Sequence, residues 1–388
     1  MSTPSAYDLI IIGGGCAGLS LASNLAKLPG AVPKVLVLEQ RLQYRNDRTW
    51  CFWDTANAAC KSLVTHAWPT FRIKDTQQDH AYDALKHPYL MLASDVFYNQ
   101  ALADIDRCSN TQLLLGEEII GAAVKVNQAW QVKTASGEYS AKWLVDTRPH
   151  RDTMESDSVL WQSFFGQEIA LDEAHFDGDQ CVLMDFDDGF ANGLAFVYFL
   201  PTSSKQALIE YTVFSEYRYN KEALQSMLMQ AVEKYTGQIA HRVVREECGV
   251  LPMGNKRILA HQDPSYVFSG LYAGGARPSS GYAFQRIQAW AQACAVSLVE
   301  QNRLLPFAKD KWLQRFMDDL FLYVIKSQPK MASTLFKALF KHCPLPALVR
   351  FMSDQASLYD AFCVMKSLPT ILFIQSLPRY LLHKLRKH

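Results

Sequence analysis

The chain has 388 residues, 49% of them apolar and 20% charged, which excludes a disordered polypeptide and allows two or three domains with a sizeable core. A formal net charge of +1 argues against a nucleic-acid binder, which needs a strongly basic surface. Nine cysteines are scattered without a Cys-x-x-Cys pair, so free thiols in a reducing compartment are expected, with neither a disulfide framework nor a metal site.

The N-terminus is uncharged up to Asp8 and leads directly into Leu9-Ile10-Ile11-Ile12, so no cleavable signal is expected. That apolar run has the pattern of a strand buried on both faces. Gly13, Gly15 and Gly18 follow at once, then a predicted helix from Leu19 to Lys27 and a second apolar strand from Lys34 to Glu39. The glycine spacing supplies a tight turn, room for a pyrophosphate against backbone, and close helix–strand packing. The helix start aims unpaired N–H groups at the phosphates. Glu39 lies about 20 residues past Gly18, where a carboxylate accepts hydrogen bonds from a ribose. Strand, glycines, helix, strand and acid in this order predict dinucleotide binding.

Tyr44 to Trp53 then crowds aromatic and cationic residues together. Two roles fit: a wall beside an isoalloxazine ring with Arg48 near a phosphate, or a surface loop anchored by buried tryptophans. Residues His66 to Tyr82 alternate like strands of a second domain. Ala93 to Asp106 is predicted helical, with Ser94 or Asp95 as N-cap. Short strands are expected at Leu113–Leu115, Ala122–Val126 and Trp130–Thr134. Trp143 to Asp146 reads as a buried strand, and Asp146 at its end either holds a cofactor group or serves the fold.

From Val159 to Thr212 spaced β-formers and polar turns predict an inserted antiparallel sheet. In Ala207–Thr212, alternation puts Leu208, Glu210 and Thr212 on one face. Turned inward, Glu210 would have a raised pKa; turned outward, it would be a solvated edge residue. An amphipathic helix is expected from Lys221 to Tyr235, and Glu246 to Gly254 returns toward the cofactor. Val267 to Tyr272 leads into a second glycine loop, and a helix is expected from Ala283 to Glu300. Gly274, Gly275 and Gly281 would present backbone N–H groups to the ribityl chain and ring of a flavin. Two such units split by a β insertion fit a flavoprotein better than a nicotinamide dehydrogenase.

The tail from Leu304 reads as helices with proline breaks at 329, 344, 346, 369 and 378. Between Lys326 and His388 ten Lys/Arg stand against two acids, a charge of +8 that leaves −7 on the rest. Basic amphipathic segments settle among anionic headgroups, although a solvated helical cap has the same pattern. The uncharged run Ser367–Pro378 is too short to span a bilayer, which needs about 20 residues. The expected fold is α/β: a Rossmann-like FAD-binding domain (1–60, 93–150, 249–303), an inserted antiparallel β-sheet substrate domain (61–92, 151–248) and a basic helical C-terminal region (304–388).

Seven words spread along this frame carry a family resemblance: Asn46-Asp47-Arg48-Thr49-Trp50, Gln162 to Gly166, Met184-Asp185, Phe196-Val197-Tyr198 ahead of Leu200-Pro201, Leu208-Ile209-Glu210-x-Thr212, Gly249-x-Leu251-Pro252-Met253 and Pro278-x-x-Gly281-Tyr282. The chain resembles the flavin-dependent lycopene cyclases, most closely the bacterial β-cyclases. The wider flavoprotein group usually has Gly-Asp at the start of its second loop; Gly274-Gly275 stands there instead. The resemblance implies conversion of lycopene's acyclic ends to β-rings without net oxidation, with reduced FAD and NADPH or NADH as electron source. It implies Glu210 as the proton-transfer carboxylate, Asp185 as a second candidate, and Trp50, Trp53, Tyr198 and Tyr282 as cation-facing aromatics. It also implies a cytoplasmic protein held peripherally at the inner membrane. Two rivals stay open: a flavin monooxygenase or reductase acting on isoprenoids with NADPH, and a flavin-stabilised lipid-binding protein without chemistry.

Overall fold

The computed structural model describes residues 5–149, 159–237, 239–254 and 261–386. The apolar run near the N-terminus is β1 (Ser5–Ile12), which lies between β2 (Val35–Glu39) and β11 (Glu138–Asp146) in parallel register. β8 (Thr111–Leu115) extends the parallel set beyond β2, and β17 (Tyr266–Phe268) pairs with the end of β11. β9 (Val124–Val126) and β10 (Ala129–Lys133) continue antiparallel from β11. Both faces of β1 and β2 are covered, which explains the unbroken apolar runs. Leu9, Ile11, Val35 and Val37 pack on α1 (Cys16–Lys27), α2 (Ser94–Asp106) and α4 (Phe284–Gln301). Ile10, Ile12, Leu36 and Leu38 meet Trp130 and Val132.

The inserted sheet has the order β16-β12-β15-β14-β13-β5-β6. Its strands are β5 (Thr70–Lys74), β6 (Asp79–Asp83), β12 (Leu160–Leu171), β13 (Gln180–Phe186), β14 (Leu194–Pro201), β15 (Gln206–Ser215) and β16 (His241–Met253). It is antiparallel except where β5 runs parallel to β13, so the early segment joins the same sheet as the later insertion. One face packs on α3 (Lys221–Thr236). The other faces five C-terminal helices: α5 (Trp312–Ser327), α6 (Ala332–His342), α7 (Leu345–Met352), α8 (Leu358–Ser367) and α9 (Thr370–Arg386).

A small sheet, β3 (Thr49–Trp53), β7 (Tyr89–Ala93) and β4 (His66–Trp68), joins the two cores. Strand alternation sends Trp50 and Phe52 into the nucleotide-side core and Cys51 and Trp53 toward the inserted sheet. Two local expectations differ. The N-cap of α2 is Ala93, because the Ser94 hydroxyl accepts instead from the Asp47 and Arg48 N–H groups at 2.9 and 3.0 Å. Pro378 lies inside α9, at an exposed position, and does not end it.

Candidate active site

Glu210 sits mid-way along β15, with β12 on one side and β14 on the other. The period-two alternation turns Ile209, Tyr211 and Val213 to α3 and Glu210 with Thr212 to the opposite face. Register places Glu210 opposite Gly166, and Gly166 opposite Glu247 on β16. The two glutamates thus stand in one row across three strands, and Gly166 leaves the gap between them open. A Cβ at residue 166 would lie 3.1 Å from the Glu210 Cβ and 3.3 Å from its Cγ.

Glu210 is 9% exposed, and its carboxyl faces Glu247 across Gly166 while accepting from the Thr212 hydroxyl at 2.9 Å. Burial, then the charge of Glu247, push its pKa well above the ordinary carboxylate value. Glu247 in turn accepts from Arg245 Nη1 at 2.6 Å and from the Thr49 hydroxyl at 2.9 Å. Arg245 Nη2 donates to Thr49 at 2.6 Å, and its Nε is paired with Glu168. Tyr198, opposite Glu210 on β14, Cys51 and Tyr282 gather on the same side, and burial raises the pKa of each, that of Tyr282 to about 12. The Tyr282 and Tyr89 hydroxyls lie 3.3 Å apart.

A cavity of about 290 Å³ runs from this cluster between the inserted sheet and the C-terminal helices. Phe196, Tyr198 and Phe214 form its sheet wall, and Phe321, Phe336 and Phe373 part of its helical wall. Tyr198 and Tyr282 line it; Glu210 does not, and stands one strand behind Tyr198. The few polar groups on its lining include Arg277, Asp318 and Ser279, which bind one another: Arg277 Nη2 to Asp318 at 3.2 Å and Ser279 Oγ to Asp318 at 2.7 Å.

The first glycine loop has the form of a dinucleotide cradle. A Cβ on Gly18 would stand 1.9 Å from the Gly13 carbonyl, so only glycine lets α1 approach β1 this closely. Gly15 caps α1 without a side-chain hydrogen bond, and a Cβ there would meet Arg41 Nη2 at 3.9 Å, so the first N–H groups and a guanidinium stand together where a phosphate would lie. Glu39 closes β2, yet its oxygens already accept from Gly14 N at 2.6 Å and Arg41 N and Nε at 2.8 and 3.0 Å. Arg48 is exposed, donates to the Asp47 carbonyl at 2.8 Å and lies beside Tyr272 at the start of the second loop. In that loop Gly274 and Gly281 have φ of +97° and +72°. Gly275 approaches the Gly270 carbonyl so closely that a Cβ would lie 2.6 Å from it. Gln162 reaches this loop at Gly281, and its buried Oε1 has no hydrogen-bond partner among the described residues. The helix start and the two glycine loops offer N–H donors that suit the phosphates and ring of a flavin dinucleotide, and the Gln162 amide oxygen adds an acceptor.

The structure therefore gathers Glu210, Tyr198 and Tyr282, and separately Gly13, Gly15, Gly18 and Glu39. Other expected residues lie elsewhere. A register shift in β13 turns both Leu183 and Met184 to the cavity and sends Asp185 to the opposite face. There Asp185 is held by Tyr235 at 2.7 Å and Lys234 at 2.6 Å, away from Glu210. Trp50 stacks on Phe284, centroids 5.0 Å apart, in the nucleotide-side core. Trp53 is 2% exposed behind Tyr89 and Phe71 and does not reach the cavity. Asp146 is occupied by Arg148 Nη2 at 2.7 Å and the Tyr266 hydroxyl at 3.0 Å. Glu247, Arg245, Thr49, Gly166 and Gln162 are site residues that sequence reasoning did not single out. The available signal was the shared parity of Glu247 with Gly249, Leu251 and Met253 along one strand.

The lycopene cyclase protein family model matches residues 8–377. The chain is 25% identical over 384 residues to the lycopene beta-cyclase of Pantoea ananas, covering 94% of this chain and 95% of that one. It is 26% identical to the lycopene beta-cyclase of Pseudescherichia vulneris, covering 94% of each. Among solved structures, a geranylgeranyl bacteriochlorophyll reductase-like protein from Thermoplasma acidophilum has a TM-score of 0.64 at 14% identity, over 97% of this chain and 100% of that one. A flavin-dependent brominase has 0.61 at 11%, over 97% and 99%. At such identities the likeness is one of fold, that of the Rossmann-type flavoenzymes. With a family match across nearly its whole length, the chain belongs to the lycopene cyclase family.

Proposed function

We propose that this protein is a lycopene β-cyclase, which closes the acyclic ends of lycopene one after the other, through the one-ring γ-carotene, to β-carotene. The observation that carries this reading is Glu210: an acid held neutral by burial beside the end of a tunnel walled by aromatic and aliphatic side chains. Protonating an alkene requires an acid whose charged form is disfavoured and a pocket from which water is absent. Glu210 transfers the proton of its carboxyl to the terminal double bond. The tertiary cation so formed is attacked by the next double bond, and loss of a ring proton sets the β double bond. Tyr198 and Tyr282 offer electron-rich rings at the tunnel end, where each ring–cation contact contributes about 0.5–2 kcal/mol. The phenylalanines keep water, which would quench the cation, out of the tunnel.

FAD would be held by Gly13, Gly15 and Gly18 on the first loop, Glu39 at the end of β2, and Arg48, Gly274, Gly275, Gly281 and Gln162 around the second loop. In its reduced form it would supply electron density that stabilises positive charge without being consumed, with NADPH or NADH as the electron source. The exposed apolar faces of α8 and α9 support a peripheral position of the protein at a membrane, on its cytoplasmic side.

Anaerobic incubation with lycopene and chemically reduced FAD, followed by product mass, tests the reading. A cyclic isomer of unchanged mass is expected, and Glu210→Gln should abolish it while flavin stays bound. A product that gains oxygen, or changes by two hydrogens, establishes instead an isoprenoid monooxygenase or reductase that consumes NADPH.

A further inference from the structure

We infer that Glu247 is a positioning residue for the proton-transfer step: it shares a single proton with Glu210 across Gly166, and Arg245 fixes the negative charge on the Glu247 side. The inference rests on the cyclase reading for its chemistry, and on the sheet alone for its geometry. Three strands set the pair. β15 supplies Glu210, β12 supplies a residue without a side chain, and β16 supplies Glu247 in the same row. Two carboxyls facing each other across a glycine gap repel when both are charged, which favours one proton between them. Arg245 Nη1 and the Thr49 hydroxyl both donate to Glu247, at 2.6 and 2.9 Å. Among the described residues, Glu210 accepts from the Thr212 hydroxyl at 2.9 Å and from no cation. The cation is thus on the Glu247 side, which leaves the proton on Glu210.

The remaining polar and titratable groups around Glu210 do not compete for this role. Tyr198 on β14, Cys51 on β3, Tyr89 on β7 and Tyr282 in the second loop are neutral, with burial raising the pKa of each. Glu168 on β12 is paired with Arg245 Nε. Glu247 and Arg245 are therefore the charges that decide the state of Glu210.

The arrangement balances the reaction. When the Glu210 O–H bond breaks and a C–H bond forms at the alkene, the hydrocarbon gains one positive charge and the pair goes from one negative charge to two. The neighbouring Glu247 carboxylate raises the affinity of Glu210 for a proton. The pair then takes up the proton that the ring carbon releases, while the electrons of that C–H bond become the ring double bond. One pair serves both transfers and ends as it began.

The test uses the full-length flavoprotein and two readouts. The infrared band of the protonated carboxyl, assigned by its loss in Glu210→Gln, is titrated without lycopene; the pH profile of cyclisation is measured with it. Glu247→Gln removes the neighbouring negative charge, so the Glu210 proton should leave about 1–3 pH units lower, and the alkaline limb of the profile should shift with it. Glu247→Asp should restore part of the shift. Arg245→Gln removes the cation and should move both readouts the opposite way. Titrations that stay in place, or move in the same direction in both variants, overturn the inference and leave the cyclase reading untouched. A product of altered mass overturns the cyclase reading, while the infrared titration still decides whether the pair shares a proton.

Discussion

Glu210 keeps its proton because burial and Glu247 disfavour the charged form, and the same shift makes it a pH-dependent load on the fold. Below the ordinary carboxylate range, about 4, folded and unfolded chains both carry the proton and no difference arises. As pH rises from there toward the elevated folded pKa, the unfolded chain releases a proton that the folded chain retains. Stability falls by about 1.4 kcal/mol for each pH unit of that interval and stays lowered above it. Glu210→Gln should therefore match the parent in urea midpoint near pH 4 and exceed it near pH 8. Equal midpoints at both would mean that the carboxyl ionises normally in the fold. Gly166→Ala tests the gap in the same row. Its Cβ would press on Glu210 at 3.1 Å, costing about 1–3 kcal/mol and lowering turnover at unchanged flavin content. Glu210 was legible in the sequence as a charge within an apolar strand. Its partner was hidden because Glu246 precedes Glu247, so one of the two must face outward and only the register decides which. Asp185 was misplaced for a related reason. Plain alternation puts it with Leu183, but the register shift in β13 inserts Met184 on that face and turns Asp185 to Lys234 and Tyr235.

The glycine loops and the helical region are coupled elements, and each has a contact whose loss should be measurable. At the first loop, Gly18→Ala would place a methyl group 1.9 Å from the Gly13 carbonyl. α1 would have to withdraw from β1, carrying its N–H groups away from the phosphate position. The purified variant should carry little flavin by visible absorbance, and flavin content equal to the parent would show that the cradle tolerates the shift. At the second loop, Arg277 ties the 277–282 turn to α5 through Asp318, with the two residues 1% and 2% exposed. Removing one member leaves the other as a buried, uncompensated charge, so Arg277→Met should lower stability by about 3–5 kcal/mol in urea unfolding. Arg277→Met with Asp318→Asn should recover part of that loss. The elements themselves were largely visible in the sequence: β1, α1 and β2 from one apolar–glycine–apolar pattern, and the C-terminal helices from amphipathic segments between prolines. Partners distant along the chain were not, since neither Arg277 nor Asp318 carries a local sign that they meet.

At the scale of the whole molecule, the basic excess and a dense run of exposed apolar residues fall on the same C-terminal region. Along α8, Leu358, Phe362 and Met365 are exposed at helical spacing, and along α9 so are Ile371, Ile374, Leu382 and Leu385. Met365 and Ile374 also line the cavity, so the exposed stripes run into the tunnel mouth. Among the described residues no single helix is long and apolar enough to cross a membrane, and α8 meets α9 at a bend of 103°. A bent pair with its apolar side outward and exposed Lys366 and Arg379 beside it suits the headgroup boundary of an anionic leaflet. A hydrocarbon dissolved among acyl chains could then enter the tunnel without crossing water. Ile371→Glu, Leu382→Glu and Leu385→Glu together change only positions outside the cavity lining. The triple variant should lose flotation with phosphatidylglycerol vesicles while still cyclising lycopene supplied in detergent. Flotation equal to the parent would remove these helices from membrane contact. Loss of activity in detergent as well would show that the stripes serve the tunnel wall and not the lipid surface.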